Sequence, residues 1–400
     1  MPASNNRLRH SGLAVASLAF GAFSSVTTEF IPVGVLPEVA ETFGVSPGEA
    51  GLMMTLPGML GAIAAPGVLM VAGKLDRKWL LITLSALLFI SAITSAVAPS
   101  WAIMLFSRAL AGISLGAFWA MALAAAGSLV SAEKAGTAIA AVFGGVTMAM
   151  ILGVPLGAMV AEHFTWRGSF VAASAMSALA FVLQLIFLPA IAAEKPMRAR
   201  QLFDFLSKPA GRKSLVLIAL IYGTHFGTYT FIAPLMREPG ITPGVISWTL
   251  LGFGLTGFLA NFIASRFVYR LRLTLTVALI MFAASLAVLA NAQVDWMLIT
   301  AVLVWGAAWG TAPLCLNIAN RDASGHEIEA GSAMFTFTAQ VSIAAGSAVG
   351  GVIVDAASIN ADFGTGSVLL IMSIFLLWMW QTRAAEESDK ERSAVCSSAD

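Results

Sequence analysis

The chain has 400 residues, 58% of them hydrophobic and 11% charged, with a net charge of +1. A soluble domain carries about a quarter charged residues, so this composition excludes one and describes an integral membrane protein. The balanced charge argues against a nucleic-acid partner. Cys315 lies in an apolar run, Cys396 stands near the chain end and the four histidines are scattered, so no disulfide framework, metal site or cofactor motif is expected.

Arg7, Arg9 and His10 precede an apolar run over 13–36, which no small-residue cleavage site closes. It predicts a retained membrane span rather than a leader. Eleven further runs follow, at 50–72, 79–98, 101–130, 136–161, 167–190, 214–236, 245–268, 273–291, 296–320, 328–355 and 362–382. Each is long enough for the ~30 Å hydrocarbon layer. The charged, proline-punctuated stretch 191–213 separates two halves of six spans. The expected layout is a cytoplasmic N-terminus (1–12), a first bundle (13–190), a cytoplasmic central loop (191–213), a second bundle (214–382) and a polar, unstructured cytoplasmic tail (383–400). Putting the N-terminus in the cytoplasm leaves 19 of the 22 Lys and Arg on that side. Arg167 and Arg237 then lie outside and Arg108 lies within a span.

The halves resemble each other. Gly112-x-x-x-Gly116 in span 4 recurs as Gly306-x-x-x-Gly310 in span 10, an offset of 194. Gly153-x-x-x-Gly157 in span 5 recurs as Gly346-x-x-x-Gly350 in span 11, an offset of 193. Thr28-Glu29-Phe30-Ile31 has a shadow in Thr230-Phe231-Ile232 of span 7. Small residues four apart let helices approach closely, and two such pairs in consecutive helices at nearly one offset predict parallel repeats. Transporters of that design hold substrate between the halves near mid-membrane.

Glu29 stands in Thr27-Thr28-Glu29-Phe30-Ile31-Pro32-Val33-Gly34 of span 1. A carboxylate there costs about 2.5–3.5 kcal/mol on insertion scales, which points to a task or at least to a partner on a neighbouring helix. Pro32 and Gly34 weaken the helix beside it, as is tolerated where a helix lines a cavity. Arg108 is the second buried charge. Counted from the span ends, both sit roughly 10–12 Å below the outer surface, placed to share a cavity or to form a static ion pair. Arg108, Gly112, Leu115 and Trp119 fall on one face of span 4, and Tyr222, His225 and Tyr229 on one face of span 7. Aromatic and hydroxyl groups so arranged suit a sugar or another polar ring; interhelical hydrogen bonding is the plain alternative. Trp305 and Trp309 stand one turn apart in span 10, and Asn261 and Gln340 read as interhelical hydrogen-bonding groups.

With the loop cluster Gly73-Lys74-Leu75-Asp76-Arg77-Lys78, these features resemble the major facilitator superfamily, an all-α membrane fold of twelve transmembrane helices in two parallel six-helix repeats. Thr28 to Pro37 looks like the first-span signature of its drug:proton antiporter branch. Arg108 with Gly112 is similar to that branch's fourth-span motif, and Gly153-Val154-Pro155-Leu156-Gly157 to its antiporter motif. Thr224-His225-Phe-Gly-Thr-Tyr229-Thr-Phe231-Ile232-Ala-Pro234 resembles the seventh span of bacterial exporters of arabinose and isopropyl thiogalactoside. Gly116-Ala-Phe118-Trp119-Ala-Met121 resembles the purine-ribonucleoside exporters. The likeness covers about residues 10–382.

The resemblance implies a proton-coupled exporter in a bacterial inner membrane, a monomer and not an enzyme, whose partners are a small-molecule substrate, protons and the bilayer. A sugar or glycoside is the first expectation for the substrate, a drug or purine nucleoside the second. Glu29, Arg108 and His225 would carry the coupling, and Trp119, Tyr222, His225 and Tyr229 would meet the substrate. Gly153, Pro155 and Gly157 would serve the antiporter motif. Asp76 and Arg77 would latch the cytoplasmic side when the outside is open, although the loop lacks the second glycine and longer basic run of the family pattern. A membrane enzyme on lipid-linked substrates would need clustered acids or histidines, and a channel a repeated acidic ring; the sequence has neither.

Overall fold

The structure is a computed structural model that describes residues 2–71, 75–191, 199–292, 294–325 and 327–397. Gly73 and Lys74 of the loop cluster, Lys195 and Arg198 of the central loop, and His326 lie outside those residues.

The described residues are helical, with no strand among them. The helices are α1 (Pro2–Phe43), α2 (Pro47–Ala50), α3 (Leu52–Val71), α4 (Arg77–Ala96), α5 (Trp101–Ser128), α6 (Ala132–His163), α7 (Trp166–Phe187) and α8 (Ala199–Ser207). There follow α9 (Pro209–Tyr229), α10 (Ile232–Arg237), α11 (Pro243–Ala264), α12 (Leu271–Leu289), α13 (Asp295–Ser324), α14 (Ile328–Ala356) and α15 (Ile359–Ser397). Setting aside the short α2, α8 and α10 leaves the twelve expected spans, and ten helical segments of the described residues are long and apolar enough to cross a membrane.

Several boundaries differ from expectation: α1 already begins at Pro2, and the loop expected over 191–213 carries α8 and the start of α9. Helix α1 runs unbroken through Pro32 and Pro37 to Phe43 rather than ending at residue 36. The seventh span divides after Tyr229, and α10 forms its last turn and a half. The tail beyond residue 382 continues α15 as far as Ser397, in keeping with the helix preference of its Ala, Glu, Lys and Arg residues.

Close glycine contacts fix the packing within each half and show the repeat. Gly116 of α5 lies against Gly61 of α3, and Gly112 against Pro57; in the second half Gly310 of α13 lies against Gly257 of α11, and Gly306 against Phe253. A Cβ on Gly153 would stand 3.1 Å from Thr27, and one on Gly157 3.0 Å from Ile31, so α6 seats α1. Gly346 and Gly350 of α14 meet Gly223 and Gly227 of α9 in the same way. These contacts pair Thr27 with Gly223 and Ile31 with Gly227, which makes Glu29 the counterpart of His225 and Phe30 that of Phe226. The sequence shadow at Thr230-Phe231-Ile232 is therefore out of register: backbone approach, not side-chain likeness, sets the correspondence.

The halves meet at the face opposite the two termini. The Arg237 guanidinium at the end of α10 pairs with the Glu38 carboxylate of α1. Asp355 of α14 accepts from Ser46 Oγ at 2.6 Å and from the Gly48 amide at 2.9 Å. Ser347 Oγ donates to the Gly51 carbonyl at 3.0 Å.

Candidate functional site

Between the halves lies a cavity of about 430 Å³, lined by α1, α5, α6, α9, α11, α13 and α14. Glu29, Trp119, Tyr222, His225 and Tyr229 all line it. Phe30 and Phe226 also line it, and the contacts of Glu38, Ser46 and Gly51 with the second half close the opposite face. Toward the face that carries the termini the lining reaches Asn261, one turn from the end of α11.

Its two walls differ in chemistry. The first half contributes Glu29, only 3% exposed, and its carboxylate takes part in no hydrogen bond or ion pair among the described residues. The second half contributes an aromatic stack. His225 lies flat on Trp309, with ring centroids 3.5 Å apart and planes 4° apart, and stacks on Tyr229 at 5.1 Å. Tyr222 meets Trp309 edge-on at 5.0 Å. His225 Nδ1 and Gln340 Oε1 are buried without a hydrogen-bond partner among the described residues. A ring-shaped solute with polar edges finds here flat surfaces to stack on and unused polar groups to meet.

Arg108 is wholly buried at the depth of Glu29, as the span arithmetic expected, yet its donors go elsewhere. Nη1 donates to the Thr28 carbonyl at 3.1 Å, Nη2 to the Glu29 carbonyl at 3.1 Å and Nε to the Met53 carbonyl at 3.2 Å. The guanidinium also stands over the Phe170 ring at 6.0 Å. It thus lies behind the backbone of α1, while the Glu29 side chain faces the cavity.

Asp76, Arg77, Gly153, Pro155, Gly157 and Trp305 are not part of the cavity lining. Asp76 caps α4, its Oδ1 accepting from the amides of Lys78 and Ile191, both at 2.9 Å. Arg77 is buried within the first half, with Nη1 3.3 Å from the Met121 sulfur. Gly153 and Gly157 belong to the α6 surface that holds α1, and Pro155 lies in the helix between them. Trp305 is fully buried behind His225. Asn261 donates across helices to the Gly310 carbonyl at 3.0 Å and also borders the cavity. Trp309 is legible in the sequence only as one of a tryptophan pair, because its partner His225 lies on α9, far from it along the chain.

Twelve long helices in two repeats around a central cavity define a membrane transporter fold. The chain matches the profile of the Major Facilitator Superfamily over residues 18–236 and 214–396, and it belongs to that superfamily. It is 30% identical over 369 residues to the transcription regulatory protein OpdE of Pseudomonas aeruginosa, covering 90% of this chain and 92% of that one. It is 26% identical over 367 residues to the purine ribonucleoside efflux pump NepI of Escherichia coli K12, covering 91% and 93%. Among solved structures, that of the nucleoside transporter NupG superposes with a TM-score of 0.73 at 14% identity, covering 93% of this chain and 98% of that one.

Proposed function

We propose that the protein is a proton-coupled antiporter that exports a small, polar, ring-bearing solute by alternating access, with Glu29 as the proton carrier. One observation carries this reading: the Glu29 carboxylate faces the central cavity with no hydrogen bond or salt bridge among the described residues, its one charged neighbour there being the Arg108 guanidinium behind the α1 backbone. A group so placed is free to hold a proton in one access state and to release it in the other, which is what coupling to a gradient requires. His225, at the corresponding position of the second half, is the rival carrier, because histidine ordinarily titrates near neutrality.

In this reading both termini are cytoplasmic, the protein works as a monomer in the inner membrane, and the closed face is external. The structure then represents the cytoplasm-facing state, in which solute reaches the His225–Trp309 wall from inside. Asp76 and Arg77 are engaged within their own half, as fits a latch that acts only once the outside opens. For the solute, a nucleoside stands ahead of a free sugar or glycoside and of a drug. The stacked wall suits a planar base, and the similar NepI is named a purine ribonucleoside efflux pump. Regulation of transcription, as in the name of OpdE, has against it the net charge of +1 and a cavity buried among membrane spans.

The test uses purified protein in vesicles with an imposed pH gradient. Inosine and adenosine should move against their concentration gradients, and arabinose and isopropyl thiogalactoside more weakly or not at all. Movement of none of these with the pH gradient in place would contradict the reading.

A further inference from the structure

A proline inside a helix has no amide hydrogen for the carbonyl four residues before it. Pro32 deprives Thr28 of its donor in α1, and Pro57 deprives Met53 in α3. Buried carbonyls without donors are costly. Both of these carbonyls are served by one side chain: Arg108 Nη1 reaches Thr28 at 3.1 Å and Nε reaches Met53 at 3.2 Å. Nη2 takes the Glu29 carbonyl at 3.1 Å, in the same disturbed turn. One turn further along α5, a Cβ on Gly112 would stand 2.5 Å from the Pro57 carbonyl oxygen. The same face of α5 therefore brings bare backbone against the α3 proline and a planar fork of donors into the gap beside it.

The second half supplies an internal control. By the glycine contacts that align the repeats, Pro32 corresponds to Thr228, Pro57 to Phe253 and Arg108 to Val302. Where neither helix has a proline at this level, the arginine is absent as well, and a buried valine takes its place.

We infer that Arg108 is a positioning residue: it stands in for the two amide hydrogens that Pro32 and Pro57 lack. In doing so it ties α1 to α3 through α5 and fixes the turn that presents Glu29 to the cavity. Each of its three nitrogens donates to a carbonyl, so a charge without the fork does not replace it. The clamp stands on the geometry alone; only its consequence for transport rests on the role proposed for Glu29.

The experiment compares full-length Arg108→Lys and Arg108→Ala, the pair Pro32→Ala with Pro57→Ala, and the triple variant that adds Arg108→Ala to that pair. Folded yield, melting midpoint and hydrogen exchange across residues 24–36 are measured in detergent, and pH-driven inosine export in vesicles. Arg108→Lys and Arg108→Ala should both lose yield, melt several degrees lower and exchange faster across the Glu29 turn. The proline pair should resemble the parent. The triple variant should recover stability and protection, because alanine in place of each proline restores the amide hydrogen that the helix lacks there. Recovery of export in the triple variant would show in addition that the cation itself is not needed for coupling. A triple variant as poor as Arg108→Ala, a collapsed proline pair, or an Arg108→Lys protein as stable as the parent would each overturn the clamp. Stability that recovers while no variant and no parent moves inosine would leave the clamp standing and count against the transport reading.

Discussion

Phe30 and Phe226 occupy corresponding positions in the two halves and stack on one another, with ring centroids 5.5 Å apart and planes 11° apart. They lie one residue beyond Glu29 and His225, so these two cavity side chains hold corresponding places beside one aromatic pair. Opening the closed face requires this stack to part. Phe30→Ala and Phe226→Ala are therefore expected to fold but to let solute leak down its gradient without proton movement. A tight, fully coupled vesicle preparation from either variant would assign closure to other contacts.

Asp355 joins the halves through charge-assisted bonds to Ser46 and Gly48. Such bonds are worth about 1.5–3 kcal/mol each, and roughly 1.4 kcal/mol is tenfold in an equilibrium. Asp355→Asn is expected to shift the population toward opening of this face by about tenfold. Spin labels at Glu41 and Glu238, one on each half, should show a longer distance gaining weight. An unchanged distance distribution would make Asp355 a surface contact of no consequence to closure.

Gly157 faces Ile31, and a Cβ there would stand 3.0 Å from the Ile31 side chain. Gly157→Leu adds several carbons at a contact already closed, and overpacking of this kind costs about 1–3 kcal/mol or more. The expected outcome is a lower melting midpoint together with proton leak, because α1 is displaced. Gly144→Ala meets open space and should be neutral. Equal stability of both variants would show that the α1–α6 seat yields easily.

His225 and Tyr229 line the cavity within the stack that Trp309 completes. His225→Ala should weaken inosine binding about tenfold or more, by breaking up an aromatic wall on which base stacking is worth roughly 1–3 kcal/mol and by removing the unpartnered Nδ1. Tyr229→Phe keeps the ring and should change affinity less. Calorimetric titration at matched yields checks both, and unchanged affinity in His225→Ala would move the solute off this wall.

Much of this was legible in the sequence, for a physical reason. Spans announce themselves because a bilayer demands about twenty apolar residues, and Glu29, Arg108 and His225 stand out because polar groups in such runs are expensive. The Gly112–Gly116 and Gly306–Gly310 pairs gave the repeat because close approach needs residues without side chains. What stayed hidden depends on where helices cross. Thr28 and Met53 lie on different helices, and that one arginine serves both follows only from the meeting of α1, α3 and α5. Trp309 became a site residue through His225, far from it in sequence, and Asp355 reads as an ordinary hydrated end residue until Gly48 is found against it.

The most direct measurement is proton release on solute binding. Parent protein and the Glu29→Gln and His225→Ala variants, in lightly buffered detergent, are mixed with inosine across a range of pH. The glutamine keeps the size and polarity of Glu29 but has no proton to give. With Glu29 as the carrier, the parent releases protons, Glu29→Gln releases none, and Glu29→Gln loses pH-driven export while exchange of inosine for inosine persists. Release and uphill export from Glu29→Gln equal to those of the parent, with both lost in His225→Ala, would contradict that role and place the coupling on α9.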